Sequence, residues 1–284
     1  MIPCEYHRPR SLREALELKS AIAGARVIAG GTDLMVRLRG RQIAPPALIS
    51  LRSVAEIYGV REDEGLHIGA TTTFTDLLAD PVVARRCPVL AQAAGHVGSP
   101  QLRNVGTIGG NIANASPCAD TALPLLVLEA SARLESAGGS RVVPLHELFL
   151  GPGATSMRDD EILTRLIVAA PEPGIRAVFL KKGRVKMDLS VASVAVLLVM
   201  EGNVCRKARV AAGSVGPTPL RLHEVESILV GATLDASLVA EAAAIAKRSV
   251  SPISDLRSTA DYRRQLVGVF VRRAIGRLLG WEAA

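Results

Sequence analysis

The chain has 284 residues, of which 49% are hydrophobic and 21% charged, so it can bury a sizeable core and lacks the composition of a disordered segment. This length predicts two domains, or one large domain with a smaller companion. The 34 basic and 27 acidic residues give a net charge of +7, but few aromatics and dispersed arginines disfavour nucleic-acid binding. A basic module for RNA or an acidic protein is therefore the distant alternative.

The sequence carries no sign of a membrane segment or of a metal site. No apolar run reaches the roughly 18 to 20 residues that cross a bilayer, and the first residues lack the basic and apolar regions of a signal peptide. We therefore expect a cytoplasmic protein with no membrane span. The cysteines at positions 4, 87, 118 and 205 lie far apart, without the ligand spacing of zinc or iron–sulfur sites.

The first 51 residues alternate between helix and strand patterns. Apolar residues recur at helical spacing between Ser11 and Ala21, and Ser11 followed by Glu14 is typical of a capping box. Arg26–Ala29 and Ala47–Leu51 are short, apolar and β-prone. This order predicts a βαβ-like unit with a parallel pair of strands.

The middle of the chain predicts a mixture of strands and short helices. Asn104–Asn114 is too rich in Gly and Asn for an ordinary helix, so we expect a structured loop there. The other expected elements are strands over Gly65–Ala70 and Glu161–Ala169, helices over Thr75–Leu78, Pro88–Ala94 and Ala122–Leu128, and a hairpin that joins Arg133–Glu135 to Arg141–Pro144.

A segment with two prolines and a glycine, Pro171–Gly174, interrupts any regular element and sets the predicted domain boundary. Beyond it, an α+β pattern resumes. We expect an apolar segment over Val191–Met200, a strand over Lys207–Ala212, a turn at Pro217–Pro219, and helices over Leu222–Leu229, Leu238–Lys247 and Ala260–Gly280.

The first candidate binding loop follows a predicted strand and reads Ala29, Gly30, Gly31, Thr32, Asp33, Leu34. Adjacent glycines let backbone N–H groups approach a phosphate with no Cβ in the way. The spacing fits neither the Rossmann nor the Walker pattern. On its own, a Gly-Gly turn is more simply explained as a turn.

The second candidate loop reads Thr107, Ile108, Gly109, Gly110, Asn111. Its adjacent glycines are flanked by a hydroxyl and an amide that can donate to phosphate oxygens. Two such loops suit a diphosphate held from both sides, which leaves Asp120 to accept a hydrogen bond from a ribose or ring group. Taken alone, this loop is also compatible with a turn stabilised by Asn and Thr.

The two loops resemble those of the FAD-binding medium subunits of molybdenum hydroxylases, a family with carbon monoxide, xanthine and nicotinate dehydrogenases and 4-hydroxybenzoyl-CoA reductase. The resemblance covers nearly the whole chain in family order. It extends through Gln101–Asn104, Ala115–Asp120, Phe179–Lys182 with Arg184 and Asp188, Gly216–Arg221 and Asp261–Arg264.

The resemblance implies an α+β fold in two parts. Residues 1–172 would form a two-part FAD-binding domain of the vanillyl-alcohol oxidase and p-cresol methylhydroxylase type, and residues 176–284 a smaller α+β domain of the CO dehydrogenase flavoprotein type. FAD would lie between the halves of the first domain, its pyrophosphate against Ala29–Leu34 and Thr107–Asn111. Asp120 would lie near the cofactor, with Leu166 and Lys182 as further candidates from the domain junction.

The family's function is electron transfer, so the resemblance implies no catalytic side chain here. Substrate would be hydroxylated at a molybdenum cofactor on a large subunit, and electrons would cross 2Fe-2S clusters on a small subunit to FAD and an external acceptor: NAD, a quinone or oxygen. The three chains would form a heterotrimer that is doubled. The alternative is a stand-alone FAD-dependent oxidoreductase of the same fold.

Two departures from the family refine this expectation. Some members carry a Tyr near the flavin directly after the aspartate that corresponds to Asp188, whereas this chain has Leu189. Aromatic gating of the flavin is therefore not expected. The inserted cysteine-ligated cluster of the 4-hydroxybenzoyl-CoA reductase subunit has no counterpart either, which disfavours a reductase of that type.

Overall fold

A short parallel sheet opens the chain in the computed structural model, which describes residues 4–170 and 172–281. Its elements are β1 (Glu5–His7), α1 (Leu12–Ala21), β2 (Arg26–Ile28), α2 (Leu34–Arg39) and β3 (Ala47–Ser50), followed by a 3₁₀ turn over Ala55–Ile57. Strand β3 lies in the centre, parallel to both β1 and β2. The predicted parallel unit is thus confirmed.

Helix α1 begins where the sequence predicts, but its capping box is only half formed. The Ser11 hydroxyl accepts a hydrogen bond from the Glu14 backbone N–H at 3.2 Å. The Glu14 carboxylate accepts from the backbone N–H of Arg10 at 2.8 Å, one residue earlier than the capping-box pattern requires.

The second unit is a five-stranded sheet in the order β4-β5-β10-β6-β7, with every neighbouring pair antiparallel. It shares one hydrophobic core with the helices around it. The elements are β4 (Val60–Glu62), β5 (Gly65–Gly69), α3 (Phe74–Ala79), α4 (Pro81–Arg86), α5 (Pro88–Gly95), α6 (Pro100–Arg103), α7 (Ile108–Ala113), α8 (Ala122–Val127), β6 (Ser131–Ser136), β7 (Gly139–Pro144), α9 (Leu145–Leu148), β8 (Phe149–Gly151), β9 (Ala154–Thr155) and β10 (Ile162–Ala169).

The prediction of a loop over Asn104–Asn114 is wrong for its second half, which forms α7. The Thr107 hydroxyl caps this helix by accepting from the backbone N–H of Gly110 at 3.2 Å. Glycine costs about 1 kcal/mol in a helix, but a Cβ on Gly109 would lie only 2.4 Å from the Cβ of Ala70. The glycine is therefore required by close packing, which local propensity does not reveal.

The third unit is an antiparallel sheet in the order β11-β12-β13-β14 with three helices. Its elements are β11 (Ile175–Lys182), β12 (Ala192–Glu201), β13 (Val204–Gly213), β14 (Leu220–Arg221), α10 (His223–Leu229), α11 (Ala236–Arg248) and α12 (Ala260–Leu279). Pro171, part of the predicted boundary, lies outside the described residues. Helix and sheet in both regions agree with the expected α+β class.

The sheet of the third unit is buried on both faces. Ala195 and Leu197 join the core of the second unit, whereas Val194 and Val196 pack with helices α10 to α12. This sheet therefore forms a wall between the two cores. No helix within the described ranges is long and apolar enough to cross a membrane.

Candidate cofactor-binding site

A cavity of about 550 Å³ lies where the three units meet, a volume within the range of small-molecule and cofactor sites. The loop after β2 and the start of α7 contribute the predicted residues. The cavity is lined by eleven of the predicted site residues: Ala29, Gly30, Gly31, Thr32, Asp33, Leu34, Thr107, Gly109, Gly110, Asn111 and Asp120.

The two glycine loops are held together by backbone contact. A Cβ built on Gly30 would lie 2.0 Å from the carbonyl oxygen of Val105 and 2.9 Å from the Cα of Gly106, so only glycine allows this approach. Gly31 adopts φ +72°, a left-handed conformation that glycine takes without strain. The chain thus brings both loops to the same cavity, as a shared diphosphate site requires.

The first loop presents backbone donors with no protein acceptor. Within the described residues, the backbone N–H groups of Gly30–Leu34 form no hydrogen bond with the protein. Buried or half-buried N–H groups need a partner, and several N–H groups gathered in one turn form a site for an anion. These donors fit phosphate oxygens.

The second loop adds a side-chain donor. The Oδ1 atom of Asn111 accepts from the Thr121 hydroxyl at 2.7 Å, which leaves the Nδ2 hydrogens of Asn111 for a ligand, since this residue lines the cavity. The Thr107 hydroxyl oxygen accepts the capping hydrogen bond of α7, and its own hydrogen can still be donated to a ligand. Thr107 thus fixes the helix start, with Gly109 and Gly110 at the cavity.

Asp120 forms a buried ion pair with a lysine of the third unit. The Nζ atom of Lys181 donates to Oδ2 of Asp120 at 2.5 Å and to the carbonyl oxygen of His96 at 3.0 Å, and the side chains are only 4% and 6% exposed for Lys181 and Asp120. Burial raises the pKa of Asp120 to about 6, against the opposing charge and hydrogen bond of Lys181. Oδ1 of Asp120 has no hydrogen-bond partner among the described residues.

Three predicted residues do not line the cavity: Ile108, Leu166 and Lys182. Ile108 and Leu166 lie with their side chains in the hydrophobic core. Lys182 points away from the cavity, because successive side chains on a strand alternate and Lys181 and Lys182 lie on opposite faces of β11. The lysine that reaches the cavity is therefore Lys181.

Leu166 does not reach the cavity for a reason that is local to β10. Ile162 and Leu163, at the start of β10, line the cavity instead. The register of β10 against β6 shifts between Leu163 and Arg165, and such a bulge redirects the side chains before it. A count of alternating positions along the sequence does not show where this shift occurs.

Sequence reasoning missed several polar and apolar lining residues. Lys181 was identifiable by its strand, since Phe179 on the same face is buried and apolar. The basic residues Lys19, Arg26, Arg37 and Arg158 also line the cavity; they are far apart in sequence and carry no motif. The loop after β11 adds Met187, next to Asp188 and Leu189, two positions that the family resemblance had already indicated.

The residues present fit FAD, and they do so by their chemistry. Free backbone N–H groups and the amide of Asn111 suit its diphosphate, and the Oδ1 atom of Asp120 suits a hydroxyl or ring N–H. No group of three or more His, Cys, Asp or Glu side chains in the described parts of the chain could hold a metal ion.

Comparison with known proteins gives matches along the whole chain. Residues 2–171 match the FAD binding domain in molybdopterin dehydrogenase, and residues 177–278 the CO dehydrogenase flavoprotein C-terminal domain. The carbon monoxide dehydrogenase medium chain of Afipia carboxidovorans is 34% identical, with 98% of both chains covered. The xanthine dehydrogenase FAD-binding subunit of Escherichia coli O157:H7 is 31% identical, with 95% of this chain and 94% of that protein covered.

A solved structure gives the same result in three dimensions. A chain of a carbon monoxide dehydrogenase from Hydrogenophaga pseudoflava, which lacks the Mo-pyranopterin moiety of its molybdenum cofactor, superimposes with a TM-score of 0.95. The identity is 35%, and the match covers 100% of both chains. Sequence and fold therefore agree on the same relatives.

Proposed function

This chain belongs to the family of FAD-binding subunits of molybdopterin dehydrogenases, and we propose that it is the flavin subunit of a molybdenum hydroxylase complex. The observation that carries the proposal is a cavity lined both by Gly30–Leu34, whose backbone N–H groups have no acceptor among the described residues, and by the buried Asp120 carboxylate. One feature suits a diphosphate and the other suits a flavin or ribose donor.

The chain's own residues bind and orient the cofactor. Gly30–Leu34 and Asn111 hold the pyrophosphate, and Asp120 accepts from the flavin part. Met187 and Leu189, exposed on the loop after β11, also line the cavity. When bound, FAD would accept electrons from the partner subunit and release them to an external acceptor.

The proposed assembly follows the family. The large subunit carries the molybdenum cofactor, the small subunit carries 2Fe-2S clusters, and one copy of each joins this chain in a doubled heterotrimer in the cytoplasm. Residues 1–172 form a FAD-binding domain of the vanillyl-alcohol oxidase and p-cresol methylhydroxylase type, and residues 176–284 the C-terminal domain. The acceptor is NAD, a quinone or oxygen.

Purification from the native host through a tag on this chain tests the proposal. We expect a flavin spectrum, FAD released by denaturation, and molybdenum and iron in stoichiometric amounts with two further polypeptides. A preparation without flavin contradicts the proposal. Flavin that is reduced by substrate in a preparation free of molybdenum and iron identifies a stand-alone oxidoreductase instead.

A further inference from the structure

We propose that Lys181 is a positioning residue of the flavin site, which fixes the Asp120 carboxylate so that its second oxygen is available to FAD. The inference rests on the proposed function, because it assigns a residue of this chain a role toward the cofactor. It goes beyond that function because it makes one side chain of the third unit, Lys181 on β11, responsible for the position of Asp120 in the second unit.

The two carboxylate oxygens of Asp120 have different partners: Oδ2 is bound by Lys181, and Oδ1 is left for a ligand. The Lys181 ammonium donates to Oδ2 of Asp120 and to the carbonyl oxygen of His96. Oδ1 of Asp120 is buried and has no protein partner. Since a buried carboxylate oxygen without a donor is costly, this atom marks the point where a donor of the cofactor completes the site.

The position of Lys181 is itself fixed by the strand that carries it. Two residues before Lys181 on β11, the backbone N–H of Phe179 donates to Oε1 of Gln92 at 2.9 Å, which ties the strand to α5. Asp120 lies between α7 and α8, and His96 ends α5. The ammonium therefore bridges two units at the cavity wall.

The charges around Asp120 make Lys181 the group that keeps the carboxylate ionised. Burial raises the pKa of Asp120, and Lys181 lowers it by its charge and hydrogen bond. The pKa of the neighbouring His96 ring is lowered by burial first and then by Lys181, Lys186 and Arg103, so this ring is neutral near pH 7. Asp188 of the facing loop pairs with Arg184.

The expected pH dependence follows from these signs. The pKa of Asp120 is about 6, so the carboxylate is ionised and accepts a hydrogen bond above that pH. FAD binding is expected to weaken as the pH falls through 6. Without Lys181, the pKa of Asp120 rises further, and the weakening begins at a higher pH.

The inference is tested by measuring the affinity for FAD as a function of pH in the purified complex. The complex is diluted at each pH, and the flavin that it releases is measured by fluorescence. Lys181→Met is expected to weaken binding at pH 7 by about tenfold, because the pKa of Asp120 rises and most of the carboxylate is then protonated, and to move the pH midpoint upward. Lys181→Arg is expected to retain most of the affinity. The matched control is Lys182→Met, because Lys182 is exposed on the opposite face of β11.

A second comparison separates positioning from general damage to the fold. In an Asp120→Asn background, Lys181→Met is expected to change FAD affinity by less than about twofold, because the side chain acts through Asp120. This double variant removes both buried charges, so it also serves if Lys181→Met alone does not fold. An unchanged pH midpoint in Lys181→Met, or a tenfold loss that persists in the Asp120→Asn background, overturns the inference. Wild-type protein without flavin refutes the proposed function instead.

Discussion

At Gly30 a single added atom, a Cβ, would disturb the site by meeting the backbone of the neighbouring loop. Its backbone touches that of Val105 and Gly106, and an added Cβ would lie 2.0 Å from the Val105 carbonyl oxygen. Both contacting groups are backbone, so neither can rotate away. The N–H groups of the first loop are placed by this contact.

Gly30→Ala is therefore expected to separate the two loops. We expect a loss of about 1–3 kcal/mol in the free energy of unfolding, the usual cost of overpacking, and a loss of FAD binding that exceeds this general effect. Urea unfolding and FAD titration measure the two. The control is Gly138→Ala, since a Cβ there would meet only the Ser136 hydroxyl at 3.8 Å. Equal FAD affinity in both variants would contradict the role of the contact.

How much of the site the sequence reveals depends on the kind of residue. The glycine pairs at 30–31 and 109–110 are visible because glycine is required where backbones approach closely. The sequence predicted Lys182, whereas Lys181 lines the cavity, because neighbouring residues on a strand point to opposite faces. Local patterns identify loops well and distinguish neighbouring positions on a strand poorly.

At the scale of elements, helix α12 carries Asp261–Arg264, one of the segments of the family resemblance, and Arg263 in it has a structural role. Arg263 on this helix is only 2% exposed. It donates to the carbonyl oxygens of Val191 and Ser214, each at 3.0 Å, and to Oδ1 of Asp255 at 2.6 Å. The arginine thus fastens α12 to the ends of β12 and β13, where the third unit approaches the cavity.

Asp255→Ala is expected to leave the Arg263 charge buried without its partner. The expected cost is about 3–5 kcal/mol in the free energy of unfolding, measured by urea denaturation. The control is Asp261→Ala, which removes a 93% exposed partner of Arg264 and should cost no more than about 1 kcal/mol. Similar effects in the two variants would contradict the anchoring role.

The same pair predicts a response to acid. Burial raises the pKa of Asp255, but donors from Arg257 and Arg263 outweigh it and lower that pKa to about 2. A lowered pKa stabilises the folded state above the usual aspartate pKa of about 4, and this contribution is lost as the pH falls towards 2. Wild-type protein should therefore lose more stability over this range than Asp255→Ala.

The whole molecule is less divisible than its sequence suggests. The proline-containing segment after β10 predicts two domains, yet the sheet that follows packs on both sides. The sequence predicted only an apolar segment over Val191–Met200, and a continuous apolar run of this kind is typical of a strand buried on both faces. The sequence could not show that one face of this sheet is covered by the second unit, through Ala195 and Leu197.

We therefore expect residues 4–281 to unfold in one cooperative transition. Trp281, the single tryptophan of the chain, follows α12 and reports on the third unit, whereas far-UV circular dichroism reports on the whole chain. Their midpoints in urea should coincide, because opening the interface around Leu197 would expose the core of the second unit as well.

Leu197→Ala sharpens this expectation, since Leu197 belongs to the third unit by sequence and to the core of the second by contact. Removing its buried side chain should cost about 2–5 kcal/mol and lower both midpoints by the same amount, because neither core survives without the shared sheet. Val142→Ala, at a 53% exposed position, should move neither midpoint appreciably. A Trp281 transition at lower urea than the circular dichroism transition would mean instead that the third unit unfolds by itself.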